Sequence, residues 1–384
     1  MIRYLEKEEF ERYLPLWREA FPEDSEPFLT YYYRKSRENS RILVKEDEQG
    51  NILTMAHLNF YRLRVAEREY ELPYIVGVAT ASSARKKGYM REVMQQIFAD
   101  LHRTYKPFCY LMPAQADIYT PFGFSYIFDQ PGWKLRKDLP NAKHIPIRLD
   151  GMSGGWDPRK SAGWVGRFLD ERYEVYAVRD GAYMEDLQAE LDSQNGQAYA
   201  WEDESGELVA LEGIWAGNKQ RFLYCQRNDW MEIDETKRPA IMARITDLTA
   251  MAETITTTQN CPCLKMQVYL RVHDDLIPEN DGLWRWKLDR ESSRLLRVES
   301  LEAENLAVEL PTPEEEQLDE AEKVGKDHLM NGGVLVSSEV LDITIDQFAS
   351  WLFGYRALDE ILELPPFWAH YVQPLRGVFL DEIV

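Results

Sequence analysis

The chain has 384 residues, 45% of them hydrophobic and 29% charged. That length exceeds one ordinary core and those fractions exclude wholesale disorder, so two or three folded domains are expected. Lys and Arg number 45 against 66 Asp and Glu, a net charge of −21, which speaks against nucleic acid and anionic membrane as partners, since both need a positive face. A cationic partner suits this balance, as does plain solubility. No stretch is apolar enough to span a membrane, and the opening MIRYLEKEEFERYLPLW lacks a signal-peptide core, so a cytoplasmic protein is expected. Four cysteines do not make a disulfide framework, and Cys261 and Cys263 form a C-x-C pair with no histidines spaced to join them; no metal is expected.

In chain order, the spacing predicts a helix over 7–20 and a second after Pro27, with the aromatic run Tyr31-Tyr32-Tyr33. Residues 41–45 and 52–59 read as strands about a hairpin turn at Gln49-Gly50-Asn51, where Gly and Asn tolerate positive φ. Residues 61–65, 70–72 and 75–80 continue as strands. Met90, Val93, Met94, Ile97, Phe98 and Leu101 recur at helical spacing and predict a helix over 89–105. Strands follow at 108–112 and 126–128. A connector over 137–158 is rich in Pro and Gly. Beyond it, strands are expected at 173–178, 197–201, 208–215 and 222–226, then a helix over 239–253. The last segment opens with strands 264–272 and 283–288 about Asn280-Asp281-Gly282. An exposed acidic stretch, 299–322, precedes a strand pair over 334–345, a helix over 345–353 capped by Thr344, another over 358–362, and an apolar end. The plan is mixed α/β in layers, divided at 1–140, 141–262 and 263–384.

The sharpest local signal is Val76-Gly77-Val78-Ala79-Thr80 followed by Arg85-Lys86-Lys87-Gly88-Tyr89-Met90-Arg91: a strand, a basic loop with one glycine, then a helix. The first turn of a helix presents unpaired N–H groups and a positive dipole end, which together bind phosphate or pyrophosphate. A basic turn on a surface helix is the plain alternative. The loop has neither the spacing of a P-loop nor a G-x-G-x-x-G.

This run resembles the coenzyme A loop of the GNAT superfamily of N-acetyltransferases, Arg/Gln-x-x-Gly-x-Gly/Ala. Arg85 and Gly88 fit; Met90 stands where Gly or Ala is usual. The chain is similar to one branch, the enhanced intracellular survival acetyltransferases, which tolerates that departure. Ile118-Tyr119-Thr120-Pro121-Phe122-Gly123-Phe124 is similar to the branch's tyrosine motif, and Thr344-Ile345-Asp346 with Leu352-Phe353-Gly354-Tyr355-Arg356 looks like its last domain. The resemblance implies a catalytic GNAT domain, a degenerate GNAT-like domain and a sterol-carrier-protein-like domain that supplies the C-terminus. The middle segment has no equivalent of Arg85 to Met90.

The resemblance also implies roles. Acetyl-CoA would be held by Val78, Ala79 and Thr80 along its pantetheine arm, by Arg85, Lys86, Lys87, Gly88, Tyr89, Met90 and Arg91 at its pyrophosphate, and by Ala114 and Gln115 near the thioester. Tyr119 matches the general acid, or is a core aromatic beside Phe122 and Phe124. The carboxylate of the last residue, Val384, matches the general base, or merely ends a packed strand. Asp24 and Glu26 are candidate ligands for a small cationic amine, be it aminoglycoside-like, a polyamine or a lysine amine, and Glu382 is a third. A homo-oligomer is implied, a hexamer among the closed rings of the family. An acyl-CoA or lipid carrier without transferase activity is the alternative, and an aminoacyl-tRNA-dependent transferase is disfavoured by the charge.

Overall fold

The computed structural model describes residues 1–139, 142–151, 157–301, 328–331 and 333–382. Its largest sheet is nine-stranded among these residues. Five of its neighbours run Ile2–Tyr4, Ser40–Glu46, Ile52–Val65, Arg68–Thr80 and Phe108–Leu111. The expected strands over 52–65 are one continuous strand, and those over 70–80 another. They pair antiparallel through the turn at Ala66, whose φ of 51° is left-handed.

Helix Tyr89–Arg103 covers one face of this sheet with Val93, Met94, Ile97, Phe98 and Leu101, each contributing about 1.5–3 kcal/mol by leaving water. The other face carries a 3-10 turn over Lys7–Tyr13 and the helices Leu14–Ala20 and Glu26–Asn39. Trp17 explains a glycine here. Gly77 has φ +60° at an irregularity in the register between Arg68–Thr80 and Ile52–Val65, and a Cβ there would stand 2.5 Å from the Trp17 ring.

His57 lies in the same layer. The Tyr32 hydroxyl is 3.1 Å from its Nδ1, and the Tyr13 ring meets it edge-on at 4.5 Å. Burial pushes its pKa down to about 3, whereas an unfolded histidine titrates near 6.5. The folded value lies below the unfolded one, so this contribution is complete above pH 6.5 and is lost as pH falls toward 3, at about 1.4 kcal/mol per unit. Thermal unfolding followed from pH 7 to 4 is expected to show a steeper fall in Tm for the parent protein than for His57→Gln.

The boundaries at 140 and 262 do not divide this sheet. Pro239–Ile245 lies between Phe108–Leu111 and Ser125–Asp129. Val175–Ala177 pairs with the end of Ile52–Val65, and Val378–Phe379 pairs with Val175–Ala177 in turn. All three segments thus build it. The helix expected over 239–253 is corrected to this strand and a short helix, Leu248–Ala252.

A second sheet joins Lys143–Ile147, Gln197–Glu202, Leu208–Trp215 and Lys219–Cys225. Helices Pro158–Asp170 and Gly181–Ser193, both unread in the sequence, accompany it. Asp157 and Asp180 cap them by accepting from main-chain amides; such caps stabilise a helix by about 1 kcal/mol. The third sheet runs Ser293–Val298, Gly282–Asp289, Lys265–His273, Val334–Thr344 and His328–Asn331. Val334–Thr344 is a single strand, parallel to Lys265–His273.

Helix Ile345–Leu352 opens with a capping box between Thr344 and Gln347. It packs on Pro239–Ile245 and Ser125–Asp129, and Phe353 beyond it meets Phe108 edge-on at 4.9 Å. The expected helix over 358–362 is only a 3-10 turn, Leu358–Glu360. The acidic stretch 302–322 lies outside the described residues. No helix among the described residues is long and apolar enough to cross a membrane.

Candidate active site

Strands Arg68–Thr80 and Phe108–Leu111 run parallel but pair only at Tyr74 and Tyr110. Beyond that point they part. Among the described residues Ala79 and Thr80 keep a strand partner on one side only, Met55 and Thr54, and Val78 falls at the register irregularity just before them. The other edge offers main-chain N–H and C=O groups to whatever enters the gap.

The basic loop closes one end of this opening. Arg85 Nε donates to the carbonyl of Thr80 at 3.2 Å. Lys86 and Gly88 take left-handed φ of 61° and 82°, curling the chain before Tyr89–Arg103. Gly88 occupies the N-cap position without a side-chain cap, and a Cβ there would meet nothing within 4 Å. The concavity is therefore open, and the first-turn amides keep their hydrogen-bonding capacity. Arg85, Lys86, Lys87 and Arg91 are exposed. Tyr89 carries Lys45 over its ring at 4.5 Å, and Arg91 lies 5.3 Å from the Phe122 ring.

Ala114 and Gln115 are exposed after Phe108–Leu111, and Gln115 leads into the short helix Ala116–Tyr119. Tyr119 is buried, edge-on to Phe124 at 5.9 Å, and burial pushes its phenol up to about 12. Its motif is braced from outside the first segment. A Cβ at Gly123 would stand 3.1 Å from Ile345 and 3.2 Å from Arg244, and Arg244 is itself paired to Asp274 at 2.6 Å.

The C-terminal tail arrives at the same junction. After Val378–Phe379, Leu380 and Glu382 are buried. Tyr74 and Tyr110 are pushed well above the usual phenol range by burial, and the negative charge of Glu382 adds to it. Glu382 Oε2 and the Tyr110 hydroxyl are both buried without a hydrogen-bond partner among the described residues. Val384 lies outside the described residues.

Asp24 and Glu26 lie at the connection between Leu14–Ala20 and Glu26–Asn39. Asp24 accepts from Trp17 Nε1 at 2.8 Å, and Glu26 is an exposed partner of Arg18 at 3.1 Å. Neither lines the large cleft between Glu26–Asn39 and Gly181–Ser193, about 660 Å³ in volume. That cleft carries Glu38, Asp180, Glu185 and Asp186 instead, with Lys35 and Tyr61 on its wall. A narrower space leads on through Tyr183 and Asp186 to Glu190 and Arg221. Sequence reading missed Arg179 and Arg221, which hold the tail, and Glu190, which pairs with Arg221. The available signal was an arginine at the head of the apolar run Phe222-Leu223-Tyr224.

Residues 1–127 match the family model described as an acetyltransferase (GNAT) domain. Among solved structures, the chain is similar to a probable N-acyltransferase from Enterococcus faecalis V583, at 13% identity and a TM-score of 0.71 over 99% of each chain. It is similar to a GCN5-related N-acetyltransferase from Anabaena variabilis ATCC 29413, at 13% identity and 0.67, again over 99% of each. Eis1 from Mycobacterium abscessus is similar at 11% identity and 0.55, over 78% of this chain and 85% of that one. At such identities these are likenesses of fold. A search of the curated proteins finds no match.

Residues 1–127 thus carry a GNAT acetyltransferase domain, within a chain of mixed α/β fold. That class implies acetyl-CoA. The open concavity at Gly88, the exposed cations around it and the one-sided strand edge fit a diphosphate with an extended arm.

Proposed function

We propose that the protein transfers the acetyl group of acetyl-CoA to a primary amine of a small cationic molecule: an aminoglycoside-like compound, a polyamine or a lysine side chain. One observation carries this reading. The strand junction at Tyr74 and Tyr110 lies between a positive helix mouth and a tail that brings the buried carboxylate of Glu382 to it.

Val78, Ala79 and Thr80 would hold the pantetheine arm as an added strand does. Amides from Lys86 to Arg91 would hold the pyrophosphate, and Ala114 and Gln115 would flank the thioester. Bound acetyl-CoA supplies an acyl carbon that an amine attacks as the carbon–sulfur bond breaks. Tyr119 keeps its proton at neutral pH, because its phenol is pushed up to about 12, and so can give it to the leaving sulfur. An alkyl ammonium must first lose a proton; the carboxylate of Val384 would take it, directly or through water. Glu382 supports a cationic acceptor, since its Oε2 lacks a donor among the described residues and an arriving ammonium would supply one.

The middle module then acts as a wall of the acceptor cleft and the last one, sterol-carrier-like, as the source of the tail. The reading includes a cytoplasmic homo-oligomer, a hexamer, that works without nucleic acid or membrane. The test is thioester consumption with a panel of an aminoglycoside, a linear polyamine and a lysine peptide. Amine-dependent release of free thiol is expected. Coenzyme binding without amine-dependent turnover would overturn the reading in favour of a carrier.

A further inference from the structure

We propose that Arg179, in the middle module, is a positioning residue for acetyl transfer: it clamps Asp381 and Glu382 at the junction where donor and acceptor meet. The inference rests on the reading above in one respect, that the tail takes part in the reaction.

The tail is first anchored by apolar packing. Val378 and Phe379 pair in parallel with Val175 and Tyr176. The Phe379 ring lies 5.8 Å from Phe128, 5.1 Å from Tyr173 and 5.9 Å from Tyr224. The chain then carries two consecutive carboxylates inward, with side-chain exposures of 14% for Asp381 and 1% for Glu382. Buried carboxylates persist only with partners, and both find the same one.

The Arg179 side chain is wholly buried. It donates from Nη1 to Glu382 Oε1 at 2.8 Å, from Nη2 to Asp381 Oδ1, and from Nε to the Tyr224 hydroxyl at 3.3 Å. Its guanidinium carbon lies 4.1 Å from the centre of the Tyr183 ring, and Tyr183 also donates to Glu382 Oε1, at 3.1 Å. Arg221 adds a second grip, donating from Nη1 to the main-chain carbonyl of Asp381 at 3.0 Å while two other nitrogens hold Glu190. A planar guanidinium that meets two adjacent carboxylates fixes direction as well as place.

This clamp fixes residue 382, two positions short of the end. A shift of about 1 Å in a reacting group can cost about 100-fold in rate, so loosening the clamp should be read mainly in kcat. The experiment compares the parent with Arg179→Gln, Arg179→Lys and Asp381→Asn. Four quantities are measured: kcat and KM in acetyl transfer, acetyl-CoA affinity, and the rate at which carboxypeptidase releases terminal residues.

For Arg179→Gln, kcat is expected to fall about 10- to 100-fold, with acetyl-CoA affinity unchanged and terminal residues released faster. Arg179→Lys should restore part of both. Asp381→Asn, which leaves Arg179 in place, should move both in the same direction and serves if Arg179→Gln fails to fold. Faster release with unchanged kcat would overturn the positioning role. Unchanged release would overturn the clamp itself. A parent protein inactive with every amine would sink the transfer reading, and with it the positioning role, while the release rates would still decide the clamp.

Discussion

Replacing Tyr119 with phenylalanine is expected to lower kcat for acetyl transfer by about 100- to 1,000-fold, the range of a lost general acid, and to leave acetyl-CoA affinity within a factor of about three. The substitution removes one oxygen and keeps the ring. Phe124 therefore retains its edge-on neighbour, and the hydroxyl has no hydrogen-bond partner to strand among the described residues. Packing and chemistry are separated by this change. If Tyr119 were only a core aromatic beside Phe122 and Phe124, kcat would be unaltered and any loss would be in Tm.

The pH dependence gives an independent check. A phenol at about 12 stays protonated through the range in which the enzyme is handled. The parent's rate should therefore not decline up to pH 10 through this group. A decline with an apparent pKa of about 8 would assign the titration to some other acid. Steady-state kinetics on both forms across that range settle the matter.

Extending the chain beyond Val384 by three residues is expected to lower kcat by about 100-fold, comparable to the loss of a positioned base. Three added residues move the terminal carboxylate up to about 10 Å along the chain. The clamp on Asp381 and Glu382 is untouched, and so is the apolar anchor at Phe379. Stability and acetyl-CoA binding should persist. Replacing Val384 with Ala, which keeps a carboxylate at the same chain position, should retain most of the activity. Full activity in the extended form would remove the terminal carboxylate from the mechanism.

The catalytic module was the most legible part of the chain because its signals are local. The helix from Tyr89 to Arg103 declares its buried face by spacing, and Gly88 before it marks the left-handed cap. Thr344 and Gln347 likewise announce the helix they cap. Pro239–Ile245 was misread for a physical reason. It is inserted between two strands and nearly every residue in it is buried, so it has no alternation to betray a strand, while its Ala and Met favour helix. The clamp was illegible because Arg179 is 203 positions from Glu382 and Arg221 is 160 from Asp381. Nothing in the local sequence of either arginine names its partner. The cleft lined by Glu38, Asp180, Glu185 and Asp186 was illegible for a similar reason: these residues come together only because helix Gly181–Ser193 packs beside Glu26–Asn39.

The central claim is that the helix mouth after Arg85 holds a diphosphate and that the parted strands beside it take the arm. A crystal structure with acetyl-CoA tests it most directly. The expected result is the diphosphate against the amides of residues 86–91, the arm along Val78 to Thr80, and the thioester between Tyr119 and the tail. Acetyl-CoA bound elsewhere, or that mouth empty at saturating ligand, would contradict the account.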